Sequence, residues 1–135
     1  MPAKQPKTEQ MRAFAKDSHD GPIVMLNLLK FRETADYQPD DPEYGESISG
    51  EAAYDRYGRE LMTFASDDMG VETLYAGDAE RFMIGQGDWD RVLLVRYPSR
   101  EHMLKMLSDP RYTKAHRHRD AGLLHQDLIE TRPEG

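Results

Sequence analysis

Two short segments of this 135-residue chain are apolar on both sides, and they constrain its fold more than any other feature. Residues 23–31 read Ile-Val-Met-Leu-Asn-Leu-Leu-Lys-Phe, and residues 91–97 read Arg-Val-Leu-Leu-Val-Arg-Tyr. Segments of this length are too short for independent buried helices and instead predict β-strands that are covered on both faces. The fold must therefore shield both surfaces of a sheet from water.

Three segments have the spacing of amphipathic helices. Residues 8–17 predict a short leading helix, and residues 49–68 predict a long helix that Gly70 ends. Ser99 predicts the start of a third helix, which Pro110 either stops or continues as a second helical segment over 111–120. A helix broken at this proline is therefore expected before the last part of the chain.

Turn residues and short apolar runs predict the remaining strands. Residues 71–76 and 80–86 predict two short strands around a turn or bulge at Gly77-Asp78, and residues 123–132 predict a closing strand. Residues 32–45 contain prolines, a glycine and several acids, a composition typical of a surface loop or lid.

This order of elements predicts an α+β domain with the ferredoxin-like split β-α-β arrangement, an antiparallel sheet with two helices on one face. The chain has no further helix of adequate size for the other face of the sheet. We therefore expect a homodimer in which two open sheet faces pack together as a dimeric α/β barrel. Residues 21–132 are expected to form this domain, between an N-terminal extension at 1–20 with its short helix and a frayed tail at 133–135.

Composition excludes several classes of function. The formal net charge of −7 disfavours nucleic acid and anionic membrane surfaces as partners, because both are polyanions. The absence of cysteine removes thiol nucleophiles, disulfides, thiolate zinc sites and iron–sulfur ligation. The polar first ten residues and the lack of a long apolar run predict a cytoplasmic protein.

A set of short motifs runs through the chain: Met25-Leu-Asn-Leu-Leu-Lys-Phe-Arg32, Tyr54 with Tyr57, Trp89-Asp90, Tyr97-Pro-Ser-Arg100, Asp109-Pro-Arg-Tyr112 and His118-Arg-Asp-Ala-Gly-Leu123. On these residues the chain resembles domain-of-unknown-function family 1330 (DUF1330), in the longer form with an extra N-terminal helix, over residues 8–132. The resemblance implies a dimeric α/β barrel, in a superfamily that also includes small monooxygenases, muconolactone-isomerase-like enzymes and stress-induced barrel proteins. It implies no catalytic assignment.

Two polar residues within the predicted strands are candidates for a binding site. Asn27 shares a strand face with apolar neighbours, so its amide must be hydrogen-bonded to a substrate carbonyl or to the protein itself. Arg96 alternates with apolar residues, and its guanidinium either enters a pocket and clamps a carboxylate or extends to the edge of the sheet. Tyr97, next to it, is a further candidate.

The predicted helix at 111–120 carries a second set of candidates. Tyr112, His116 and Arg119 lie along one face of this helix by their spacing, and would supply a general base and an anion clamp together. The alternative is a basic helix whose inner residues brace the sheet and whose outer residues, including His118, are solvated.

The histidines and glycines predict neither a metal site nor a cofactor. His116 and His118 cannot chelate one ion, because residues two apart on a helix diverge by about 200°. The other histidines lie at no recognised ligand spacing. Gly85-Gln-Gly87 lacks the third glycine and the following helix of a dinucleotide-binding loop.

The main hypothesis is a cofactor-free dimeric barrel that binds a small carbonyl-bearing or anionic molecule between sheet and helices. The predicted ligand-binding residues are Asn27, Arg96, Tyr97, Tyr112, His116 and Arg119, with His116, Asn27 and Arg96 as catalytic candidates if the protein is an enzyme. The alternative is a non-catalytic binding or protein-interaction module that uses the loop at 32–48 and the basic helix. A cavity of at least a few hundred cubic ångströms in which Asn27 and one arginine lack protein partners or hold a ligand favours the first hypothesis. If both groups are buried and fully bonded to protein, the first hypothesis is wrong.

Overall fold

Within residues 3–17 and 21–134, which the computed structural model describes, the chain forms four helices and four strands. In chain order they are α1 (Thr8–Lys16), β1 (Ile23–Phe31), α2 (Gly50–Met69), β2 (Glu72–Asp78), β3 (Arg91–Tyr97), α3 (Arg100–Leu107), α4 (Pro110–Gly122) and β4 (Leu123–Thr131). None of these described helices combines the length and the apolar character that crossing a membrane requires.

The helix boundaries follow from local capping chemistry. The Ser49 hydroxyl accepts a hydrogen bond from the Ala52 amide at 3.1 Å and starts α2, and Gly70 ends it with a φ of 66°. The Asp109 carboxylate caps α4, and Pro110 occupies its first turn. The predicted break at Pro110 is therefore confirmed, with α3 and α4 as two separate helices.

The four strands form one antiparallel sheet in the order β2-β3-β1-β4. This is the predicted ferredoxin-like order, in which the two strands that are apolar on both sides lie at the centre. The sheet of one chain stays open and does not close into a barrel.

Burial along β1 alternates from residue to residue. Ile23, Met25, Asn27, Leu29 and Phe31 are buried under the helices, whereas the residues between them are only partly covered. The apolar residues of the other face therefore have no layer above them within the described part of one chain, as the sequence predicts.

Of the two strands predicted at 71–76 and 80–86, the first is present as β2 and the second is not. One strand, β2, continues through Gly77 and Asp78, which pair with Val92 and Arg91 of β3, and residues 79–90 form a loop. The irregularity in the ladder falls between Thr73 and Tyr75 instead of at the glycine. The outer edge of β2 is therefore left without a partner strand in the described part of the chain.

We predict that a methyl group at Gly122 destabilises the fold. A Cβ there would overlap the Gly50 carbonyl oxygen and lie 2.9 Å from the Tyr54 nitrogen, so α2 and α4 would have to separate. Gly122→Ala should lower the free energy of unfolding by about 1–3 kcal/mol in urea titrations. The matched control Gly58→Ala, which has open space around its Cβ, should raise it by about 0.5–1 kcal/mol. Equal effects of the two substitutions would contradict this packing.

Candidate functional site

A cavity of about 690 Å³ lies between the helix-covered face of the sheet and helices α2, α3 and α4. Residues 3–7, which we call the N-terminal arm, and α1 cover its outer side. The cavity is lined by Met25, Asn27, Tyr97, Gln126, Tyr54, Tyr57, Met103, Met106, Leu107, Tyr112, Arg119, Lys4, Gln5, Met11 and Phe14, among others. Its volume is in the range of small-molecule sites in proteins.

The structure brings together four of the six predicted site residues. Asn27, Tyr97, Tyr112 and Arg119 line the cavity. Arg96 does not, because it pairs with Val24 across the sheet and therefore points to the open face.

His116 lies behind Arg119 and outside the main cavity. Its Nε2 is 3.3 Å from Arg119 Nη1, and its Nδ1 is 3.1 Å from Asp120 Oδ2. It lines a smaller, more polar cavity of about 400 Å³ together with Lys4 and Asp120. Its imidazole therefore contacts the site through Arg119 rather than directly.

Arg119 is the central group of the cavity. Only 8% of the residue is exposed, and its Nη2 donates to Gln126 Oε1 and to the Lys4 carbonyl oxygen, both at 2.6 Å. Its Nη1 donates to Gln5 Oε1 at 3.2 Å. The carboxylate that pairs with Arg119 is that of Asp120, whose Oδ1 lies 3.6 Å from Nη1. The buried guanidinium of Arg119 thus donates its short hydrogen bonds to neutral oxygens. This arrangement leaves its positive charge incompletely compensated.

Gln126 connects Arg119 to Asn27. Its Nε2 donates to Asn27 Oδ1 at 2.8 Å, and Asn27 Nδ2 donates to the carbonyl oxygens of Met25 and Leu93 at 3.2 and 3.3 Å. The Asn27 amide is thus bonded to the protein at both ends, the arrangement that favours a bracing role for it. The sequence does not reveal Gln126, because strict alternation places it on the opposite face from Leu123, three residues earlier. The register shift between Lys30 and Phe31 brings both residues to the helix-covered face.

Three of the four tyrosines that line the cavity, Tyr54, Tyr57 and Tyr97, are buried. Burial raises the pKa of Tyr54 to about 12 and also raises the pKa values of Tyr57 and Tyr97. All three hydroxyls are therefore protonated at neutral pH and add no negative charge beside Arg119.

A second buried cluster holds the loop at 32–49 against α2 and α4. The Tyr37 hydroxyl lies 2.5 Å from His118 Nδ1, and His118 Nε2 lies 2.5 Å from Glu60 Oε2. His118 is 2% exposed, so its predicted position among the solvated residues of the helix is wrong. The loop covers that side of α4, which helical spacing alone does not reveal.

Ion pairs reinforce this attachment of the loop. Glu43 accepts two hydrogen bonds at 2.9 Å from Arg117, which lower the pKa of its carboxyl group to about 2. Glu46 pairs with Arg56 of α2 at 2.7 Å. The basic residues that face the loop are thus largely neutralised by its acids.

The two histidines of the His116-x-His118 sequence have different surroundings, since one faces Arg119 and Asp120 and the other Tyr37 and Glu60. Over residues 3–17 and 21–134, no three histidine, aspartate or glutamate side chains converge in a way that would hold a metal ion.

Comparison with known proteins agrees with the resemblance in the sequence. The model of the family described as "Domain of unknown function (DUF1330)" matches residues 44–129. The crystal structure of RPA0582 from Rhodopseudomonas palustris, a protein of unknown function, superposes with a TM-score of 0.88 at 31% identity, covering 100% of this chain and 99% of that one. A comparison with curated proteins found no match.

More distant structures share the fold alone. A Dabb family protein with a ferredoxin-like fold from Mesorhizobium loti has a TM-score of 0.54 at 12% identity, covering 86% of this chain and 100% of its own. A dimeric ferredoxin-like protein of unknown function from Bacteroides fragilis has a TM-score of 0.51 at 10% identity, covering 82% and 95%.

We predict that the attachment of the loop weakens in mild acid. Burial lowers the pKa of His118, and nearby Arg117 lowers it further, while the half-exposed Glu60 only partly opposes them. His118 therefore binds a proton more readily in the unfolded chain than in the folded one. The contribution of neutral His118 to the free energy of unfolding is complete above pH 6.5 and declines as the pH falls below that value.

Urea unfolding at pH 7.5 and 5.5 measures this effect. The fall in the free energy of unfolding between the two values should shrink in His118→Gln. The matched control His102→Gln removes an exposed imidazole from α3 and should keep the wild-type difference. An unchanged difference in His118→Gln would show that this histidine does not govern the pH response.

Proposed function

The chain belongs to the DUF1330 family, and we propose that in this member the cavity binds a small anionic or carbonyl-bearing molecule at Arg119. Asn27 and Arg119 are both hydrogen-bonded to protein, which counts against a ligand held by the two together. The observation that carries the proposal is that two acceptors of the buried Arg119 guanidinium, the Lys4 carbonyl oxygen and Gln5 Oε1, are neutral and belong to the N-terminal arm at the edge of the cavity. Arginine binds carboxylates through two parallel hydrogen bonds, and a ligand of that kind would compensate the buried charge.

Gln126 and Asn27 are positioning residues in this proposal. Gln126 Oε1 holds Arg119 Nη2 at 2.6 Å, and the bond from Gln126 to Asn27 fixes the orientation of the glutamine amide. The guanidinium is thus oriented before a ligand arrives, which lowers the entropic cost of binding.

Binding has more support than catalysis. The predicted general base, His116, lies outside the lining of the main cavity and reaches it through Arg119. If the protein is an enzyme, His116 would move a proton by way of the smaller cavity, with Arg119 stabilising developing negative charge. A protein-interaction surface on the loop and α4 has less support, because Arg117 there already pairs with Glu43.

The test is native mass spectrometry of small molecules that copurify with the protein. We expect a bound anionic or carbonyl compound in the wild type, and its loss in Arg119→Gln with folding retained, as checked by the melting curve. The matched control Arg96→Gln removes a guanidinium from the opposite face and should keep the ligand. A ligand retained by Arg119→Gln and lost by Arg96→Gln would contradict this site.

We also propose that the chain forms a homodimer through the open face of the sheet. Val24, Leu26 and Leu28 of β1 and Val92 and Leu94 of β3 share this face by strand alternation and cross-strand register. A contiguous apolar surface of this kind at the centre of a sheet is typical of an interface.

The surface continues beyond these strands. Tyr75 of β2 and Ile129 of β4 extend the same face, at 55% and 48% exposure, and the adjoining loop at 79–90 carries Met83 and Ile84 at 86% and 93%. The dimeric ferredoxin-like protein with the same fold supports this assembly. A second copy would cover all four strands at once.

A charge at the centre of this face should separate the subunits. Leu26→Asp places a carboxylate between two packed sheets, where burying it is costly, so light scattering after size exclusion should report half the wild-type mass. Tyr44→Asp, on the exposed loop whose neighbouring acids pair with α2 and α4, serves as the control and should leave the mass unchanged. A wild-type protein that is monomeric at micromolar concentration would overturn the homodimer.

A further inference from the structure

We propose that the N-terminal arm occupies the ligand position at Arg119, and that a monocarboxylate with an apolar body binds there by displacing residues 3–7. This inference rests on the proposed function of the cavity and adds to it the class of ligand and the event that admits it.

The contacts of the arm with Arg119 imitate those of a carboxylate. Nη2 donates to the Lys4 carbonyl oxygen at 2.6 Å, and Nη1 donates to Gln5 Oε1 at 3.2 Å. Two oxygens, one on each terminal nitrogen of a single guanidinium, form the pattern of a bidentate carboxylate. A carboxylate ligand would replace two neutral acceptors with charged ones, and hydrogen bonds to charged groups are stronger.

The arm is held mainly by polar contacts that water can replace. Gln5 is exposed and Lys4 is half-buried, and both also contact Asp120 at the surface, through the Gln5 Nε2 bond of 2.7 Å and the Lys4 Nζ bond of 2.5 Å. The adjoining helix α1 contributes no fully buried residue to the core. Gln126, in contrast, belongs to β4 and would continue to hold Arg119 when the arm moves.

The rest of the cavity indicates a ligand with one charge and an apolar body. Arg119 is bordered by polar groups, but a large part of the cavity wall is apolar and includes Met25, Met103, Met106 and Leu107. Asp17 and Glu130 also line the cavity and both pair with Arg100. Among the described lining residues the cations are Arg119 and Lys4, and Lys4 Nζ is already bonded to the Asp120 carbonyl oxygen, so a second carboxylate has no free cation to bind. A monocarboxylate therefore fits the cavity better than a dicarboxylate does.

Titration calorimetry on the full chain tests this with octanoate and its neutral isostere octanamide. Octanoate should bind the wild type at least tenfold more tightly than octanamide. Gln5→Ala removes one competing acceptor and should tighten octanoate binding about fivefold, the effect of one hydrogen bond. The matched control Gln86→Ala, an exposed glutamine outside the arm, should leave the affinity unchanged.

Hydrogen exchange provides a second measurement that does not depend on a variant. The amides of residues 3–16 should exchange faster when octanoate saturates the protein. Slower exchange there, or equal affinities of the wild type and Gln5→Ala, would overturn displacement of the arm and leave a carboxylate site at Arg119. If octanoate binds no better than octanamide, the assignment of a monocarboxylate ligand is wrong, whereas the proposed function is judged separately by the copurified molecule and Arg119→Gln.

Discussion

The buried guanidinium of Arg119 is the interaction on which the candidate site depends. It joins helix α4 to strand β4 through Gln126, and from there to β1 through Asn27. It also holds the N-terminal arm over the cavity through Lys4 and Gln5. A charge removed from water must be surrounded by acceptors, so the sheet, the helix and the arm are all held in place by one side chain.

The parts of the fold that local chemistry determines could be predicted from the sequence. The apolar strands at 23–31 and 91–97 have the predicted boundaries, because a continuous apolar segment has few alternatives to a buried strand. The start of α3 at Ser99 and the break at Pro110 likewise depend on hydrogen bonds between residues close in sequence. Four of the six site candidates line one cavity, because helical spacing and strand alternation place them towards the layer between sheet and helices.

The remaining features depend on contacts between distant parts of the chain. β2 continues through Gly77 because β3 offers a pairing partner there, against the usual preference of glycine for turns. His118 is buried because the loop carrying Tyr37 folds over it, 81 residues away in sequence. Arg96 points to the open face because of its register with Val24, and the sequence leaves both faces of an apolar strand open as alternatives.

The N-terminal arm also lies along the margin of the sheet. The backbone N–H of Gln126, on the outer strand β4, donates to the Ala3 carbonyl oxygen at 2.7 Å. The arm thus pairs with a backbone donor that would otherwise point outwards from the sheet. Free donors on outer strands are templates for pairing with other molecules. If a ligand moves the arm, it uncovers this donor, and occupancy of the cavity then becomes coupled to the tendency of the molecules to associate edge to edge.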